Sequence, residues 1–196
     1  MTQLSQAATP YVIIASPQIL TGVFHKSVVL ILEHDSEGAF GLVLNQPSEV
    51  PIRAVIAQVE PNQDSEDNAS VQPSTRSNNI PAEVANKAIL NGGPLEENQC
   101  CLLTAQMSLL KPQNGLSENI QTLSRGGHAF ELIFGYSGWG PSQLDNEIKR
   151  GSWFCSDIQL TTLLECLSLE RYQFVLRQMG LLAEELAAFP HQIPEA

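Results

Sequence analysis

The run Val28-Val29-Leu30-Ile31-Leu32 narrows the possible folds of this chain more than any other stretch. Ser27–His34 is rich in β-branched residues and reads as a central strand, because such side chains pack well on a pleated, covered surface. Asp35-Ser36-Glu37-Gly38 is turn chemistry, and Ala39–Asn45 returns as a second strand. The pair predicts a hairpin with a four-residue loop. Any domain built from this chain has to be organised around it.

The flanking segments supply more strands and several helices. Tyr11–Ala15 reads as a short buried strand, closed by Ser16-Pro17. Pro47–Pro51 is expected to break the sheet, and Pro51 suits the first turn of a helix. Ile52, Val55, Ile56 and Val59 then share one helical face, which ends near Pro61. Lys87–Asn91, Gln99–Thr104 and Ala129–Tyr136 read as strands, Lys111–Glu118 as a loop, and Ile120–Leu123 as a short strand before the turn Arg125-Gly126-Gly127. Ser142–Arg150 reads as a helix with Leu144 and Ile148 inward, and Ser142 and Asp145 have capping-box spacing. Trp153–Cys155 is a short strand. Leu160, Leu163, Leu164, Leu167, Phe174 and Val175 fit a helical face that Ser168 interrupts, and Gly180 is a C-terminal stop. Strands dominate the middle and helices are interspersed, which predicts an α+β fold in a single domain over 1–196.

Composition matters at three points. Residues 61–82 are mostly Asn, Gln, Ser, Asp and Pro, and read as a mobile loop; the ends 1–10 and 189–196 are expected to fray. Asp plus Glu is 21 against 10 for Lys plus Arg, a formal charge of −11, which excludes a uniformly basic nucleic-acid coat and argues against direct DNA binding. The longest apolar runs are five residues, far short of the roughly 18–20 that span a bilayer, and Met1–Pro10 has no secretory character. A cytoplasmic protein with no membrane contact is expected. Cys100, Cys101, Cys155 and Cys166 form no C-x-x-C pair and read as reduced thiols, with a Cys155–Cys166 bridge left open. No metal or cofactor motif is present, so none is expected.

The densest motif is Phe134-Gly135-Tyr136-Ser137-Gly138-Trp139-Gly140-Pro141-Ser142-Gln143-Leu144-Asp145. Glycines between a strand and a helix can expose backbone N–H groups beside the positive helix end, which suits an anion. The competing reading is a tight turn in which Trp139 plugs the core. His34, between Glu33 and Asp35, is the candidate general base, although strand alternation puts it on the opposite face from both carboxylates. Asn45-Gln46-Pro47 and Asn91-Gly92-Gly93-Pro94 each end a strand with an amide near a proline. If both turns met the glycine-rich block, they would build one polar pocket.

Several blocks in order resemble the bacterial AlgH/YqgE family: Ser16-Pro17-Gln18, Phe24–Val29, Glu33-His34, Gly38–Pro47, Gly92-Gly93-Pro94, Gly135–Asp145 and Trp153. The resemblance covers about residues 11–155 and continues more weakly to about 185. It implies a mixed, strongly curved sheet around a central helix, with further helices at the C-terminus. It supplies no reaction; the family is often labelled a transcriptional regulator through a link to alginate expression in one branch. Departures are Gln46 where the family has arginine, Thr104 where it often has histidine, and Cys100-Cys101 where it has Gly-Phe.

Two functional readings follow. The first is a non-catalytic regulatory or binding protein, recognising a small molecule or a protein partner through Asn45, Gly92, Gly93, Gly135, Tyr136, Gly138, Trp139, Gly140, Gln143 and Asp145. The alternative is a hydrolase or transferase with His34 as base and Gly135–Gly140 as an anion site. Pairing into a homodimer is left open.

Overall fold

The computed structural model describes residues 9–60, 80–110 and 115–181. In chain order the elements are β1 (Tyr11–Ala15), β2 (Val28–Asp35), β3 (Gly38–Val43), β4 (Pro47–Pro51), α1 (Ile52–Val59), α2 (Ala82–Ala85), β5 (Ala88–Asn91) and β6 (Leu95–Thr104). There follow β7 (Leu109–Leu110), α3 (Leu116–Arg125), β8 (Phe130–Trp139), α4 (Gln143–Lys149), β9 (Trp153–Ser156), α5 (Leu160–Glu165), a 3-10 turn at Ser168–Glu170, and α6 (Arg171–Gln178).

Val28 to Ile31 are buried on both faces, and β2 lies between β1 and β3 as its composition requires. The sheet runs β4-β5-β8-β3-β2-β1-β9, with β6 also on β8 and β7 on β6. Only the β5–β8 pair is parallel among these ladders, so the sheet is mixed, and it stays open. Register shifts at Ile31/Glu33, Pro47/Pro51 and Leu95/Cys100 bend it.

Strand β8 is the branch point. Its first half pairs with β6 and β5, and from Ser137 onward it pairs with β3. Gly135, at φ +70°, reverses the side-chain alternation there. Before it, Leu132 and Phe134 pack with α1 and α3 while Ile133 faces α5 and α6. After it, Tyr136 joins the α5–α6 side and Trp139 packs with Leu144 of α4. The crossing requires glycine: a Cβ on Gly92 would sit 2.4 Å from the Gly135 carbonyl oxygen. Gly92 instead donates its N–H to Phe134 O (2.7 Å) and accepts from Val43 N (2.9 Å), tying β5, β8 and β3 together.

One face of the sheet is therefore covered continuously by α5 and α6. Helix α6 is the central one; its first residue, Arg171, is only 1% exposed, and Tyr172, Val175 and Leu176 are buried. The other face has two covers, α1 with α3 over one half and α4 over the other. No helix among the described residues is long and apolar enough to cross a membrane.

Several local expectations are corrected. Pro47–Pro51 does not break the sheet but forms the edge strand β4, where a missing N–H can face outward. Ile120–Leu123 is not a strand; Leu116 and Ile120, four residues apart, are the buried stripe of α3, which also takes up the end of the expected 111–118 loop. The glycine block is not a loop after Tyr136, since β8 continues to Trp139. Ser142 makes no capping bond and lies at φ 58°; the Gly140 N–H donates instead to Gln143 Oε1 (3.1 Å). The last helical segment divides at Ser168 as expected, but Leu167 is 70% exposed and leaves the buried face. Of the expected mobile loop at 61–82, residues 61–79 lie outside the described residues, and the rest is ordered, with Ile80 buried and Ala82 opening α2. Most of 1–10 and all of 189–196 also lie outside them.

Candidate functional site

The two amide–proline turns meet. Asn91 donates its N–H to Gln46 O (2.8 Å), and beside this contact lies a groove of about 920 Å³. Gln46, Ser48 and Val50 form one side, and Gln58 and Val59 of α1 extend it. Pro94, Glu97, Asn98 and Cys100 of the β5–β6 region form the other. Asn91, Gly93 and Phe134 lie between. The groove thus occupies the boundary between the two covers of the split face, a consequence of the Gly92–Gly135 crossing. Glu96, at φ 46°, lies in the bulged start of β6, and Leu95 and Glu97 on either side of it pass close to Gly135.

The groove is chemically distinctive. Among the described residues its lining contains one carboxylate, Glu97, and no Lys, Arg or His. Burial pushes the Cys100 thiol up from its ordinary range, which keeps it neutral. The Gln46 amide is committed, donating to Ser27 Oγ (3.0 Å) and to Val23 O. The side chains of Gln58, Asn91 and Asn98 are exposed and make no hydrogen bond among the described residues.

Trp139, Gly140, Gln143 and Asp145 lie elsewhere, at the far end of β8 and on α4. There Glu147 is a hub. Its Oε2 accepts the indole N–H of Trp139 (2.9 Å) and of Trp153 (2.7 Å), and its Oε1 accepts from Gln143 Nε2 (2.9 Å). Phe24 stacks on Trp139 at 5.7 Å between centroids and meets Trp153 edge-on at 5.2 Å. Trp139 is buried and plugs the core under α4. Gly138 faces Phe40 across the β3–β8 ladder, and the Tyr136 ring packs 4.9 Å from the Phe40 ring on the α5–α6 side. Asn45 holds the chain before β2: its Oδ1 accepts from Val28 N (2.8 Å) and its Nδ2 donates to Lys26 O (2.7 Å).

His34 is brought to the α4 side by the β2 bulge. Its Nδ1 lies 2.7 Å from Tyr11 Oη and its Nε2 3.6 Å from Asp145 Oδ1. Burial, with Cys155 and Asp145 nearby, raises the Tyr11 pKa, so the phenol keeps its proton, and the tautomer of His34 sets which of the two donates in this contact. His34 thus reaches the first turn of α4 through Asp145, while Gly135 lies beyond the opposite end of the β3–β8 ladder. Among the described residues no group of three or more His, Cys, Asp or Glu could hold a metal ion. The four cysteines form no disulfide; Cys155 packs on the α4 side and Cys166 ends α5 on the other face.

One polar centre escaped the sequence reading. Glu131 of β8 is fully buried against Arg171, whose guanidinium donates to its Oε1, to Leu44 O, to Leu163 O (2.9 Å) and to Cys166 O (3.2 Å). Lys87 Nζ approaches Glu131 Oε2 at 2.9 Å, off the line of a hydrogen bond, so that contact is chiefly ionic. The available signal was an acid inside an otherwise apolar strand, Phe130-Glu131-Leu132-Ile133-Phe134, which demands a buried partner.

A bent, open mixed sheet with one face covered by the two C-terminal helices defines an α+β domain. The AlgH-like family matches residues 12–184, and the chain belongs to that family. A UPF0301 protein of Anaeromyxobacter sp. is 29% identical over 187 residues, covering 88% of each chain. One of Vibrio atlanticus is 26% identical over 191 residues, covering 92% of this chain and 96% of that protein. The solution structure of the AlgH protein from Pseudomonas aeruginosa superposes with TM-score 0.62 at 22% identity, covering 98% of this chain and 100% of that one. A crystal structure of a Corynebacterium diphtheriae protein gives 0.65 at 20%, covering 96% and 95%. At those identities the structural likeness bears on the fold alone.

Proposed function

We propose that this chain is a non-catalytic cytoplasmic binding protein of regulatory type, and that its groove takes a small ligand. One observation carries the reading: the two amide–proline turns converge on a groove whose Gln58, Asn91 and Asn98 side chains have no partner among the described residues. The volume of about 920 Å³ suits a small molecule. Gly93 lines the groove, and Gly92, Gly135 and Tyr136 form the backbone seam next to it. Trp139, Gly140, Gln143 and Asp145 contribute by fixing α4. The formal charge of −11 opposes DNA as the partner, and four cysteines that form no disulfide accord with a reducing compartment.

The test is a native mass spectrum of freshly purified protein beside Val59→Trp. Val59 is 41% exposed at the groove, so a tryptophan there fills the space without entering the core. The expected result is an added mass that denaturation removes from the wild type and that the variant lacks. An added mass retained equally by the variant would refute the groove as the site.

The alternative of a hydrolase or transferase draws on the Tyr11–His34–Asp145 chain, which orients an imidazole as catalytic histidines are oriented. It requires His34→Gln to abolish turnover of an ester or phosphoester substrate.

A further inference from the structure

We infer that the groove's ligand is an organic cation, a protonated amine or guanidinium on an apolar body; this rests on the reading of the groove as a ligand site. Glu97 is the sole charged side chain among the described lining residues. Of the bases on neighbouring elements, Lys87 is engaged with Glu131 and Phe130 O and Arg53 with Asn86, and Lys26, three residues after Val23, is outside the described lining. An anion would find no counter-charge here and would approach a chain of formal charge −11. A neutral ligand seated against Glu97 would strip water from the carboxylate and return nothing. A cation pairs with it, and its N–H groups find acceptors in the amide oxygens of Asn91 and Asn98. Phe134, Val50 and Val59 offer the surface for an apolar body.

Glu97 is solvent-exposed, so its pairing is screened and the discrimination is modest, about fivefold at low salt. The probes are 2-phenylethylammonium and its neutral counterpart 2-phenylethanol, titrated into the full chain while amide NMR resonances are followed. The expected result is that both probes shift Asn91, Gly93, Asn98 and Phe134, with the cation binding about fivefold tighter at low salt. Glu97→Gln removes that preference and leaves the neutral probe unchanged. Glu49→Gln, on edge strand β4 between the lining residues Ser48 and Val50 but outside the lining, leaves the preference intact. Equal binding of the two probes, or a preference that survives Glu97→Gln, overturns the cation while leaving the groove standing. Failure of both probes to move those resonances overturns the groove reading and the inference with it.

Discussion

The two halves of β8 receive similar side chains and use them in opposite ways. Around Trp139, polar side chains turn inward on one another: two indoles and a glutamine converge on Glu147, and a tyrosine, a histidine and an aspartate stand in line. Around Phe134, amides of equal capacity point into an open groove. Gly135 separates the halves by reversing the alternation. The lesson is that the part of the sequence densest in motif is the part most fully occupied with holding itself together.

The comparison can be broken hardest at its shared support. Arg171→Ala strands the buried Glu131 carboxylate and should cost about 3–5 kcal/mol in urea unfolding, whereas Arg171→Met with Glu131→Leu should recover most of it. Equal losses from the two variants would mean that packing, and not the charge, decides. Gly135→Ala attacks the boundary itself. It places a Cβ 2.6 Å from Gly93 O at a positive φ, and about 3 kcal/mol of lost stability is expected.

Glu147→Ala tests the closed half alone. It leaves two buried indole N–H groups short of an acceptor, an expected loss of about 2 kcal/mol with a red shift in tryptophan emission. Tyr172→Phe removes a hydrogen bond to Ala15 O (3.0 Å), worth about 1 kcal/mol. Burial pushes the Tyr172 phenol up to about 12 from its ordinary 10.0. The folded chain therefore keeps a proton that the unfolded chain releases first, so this contribution is whole below pH 10 and is lost as pH rises toward 12. The variant should flatten that alkaline decline. Gln58→Ala in the open half should change stability by less than about 0.5 kcal/mol while weakening ligand retention.

Much of the scaffold could be read from residue order. The apolar run at Val28–Leu32 identified the central strand, and the spacing of Ile52, Val55 and Ile56 identified α1, because burial on one side imposes a period. The period misled where a register shift or a short stripe intervened, as in α3 and in β8 beyond Gly135. Site geometry was less legible. That Asn91 meets Gln46 depends on the antiparallel β4–β5 pairing between distant segments, which no local pattern encodes. The Glu131–Arg171 pair joins positions 40 residues apart, and only the oddity of a carboxylate in an apolar strand hinted at it.

The central claim is that the Phe134 half of β8 carries the ligand site and the Trp139 half carries structure. A chemical-shift map of small-fragment binders over the whole chain tests it most directly. The account predicts perturbations gathered at Asn91, Gly93, Asn98 and Phe134, with Trp139, Gln143 and Glu147 unmoved. Perturbations centred on the Trp139–Glu147 cluster would contradict it.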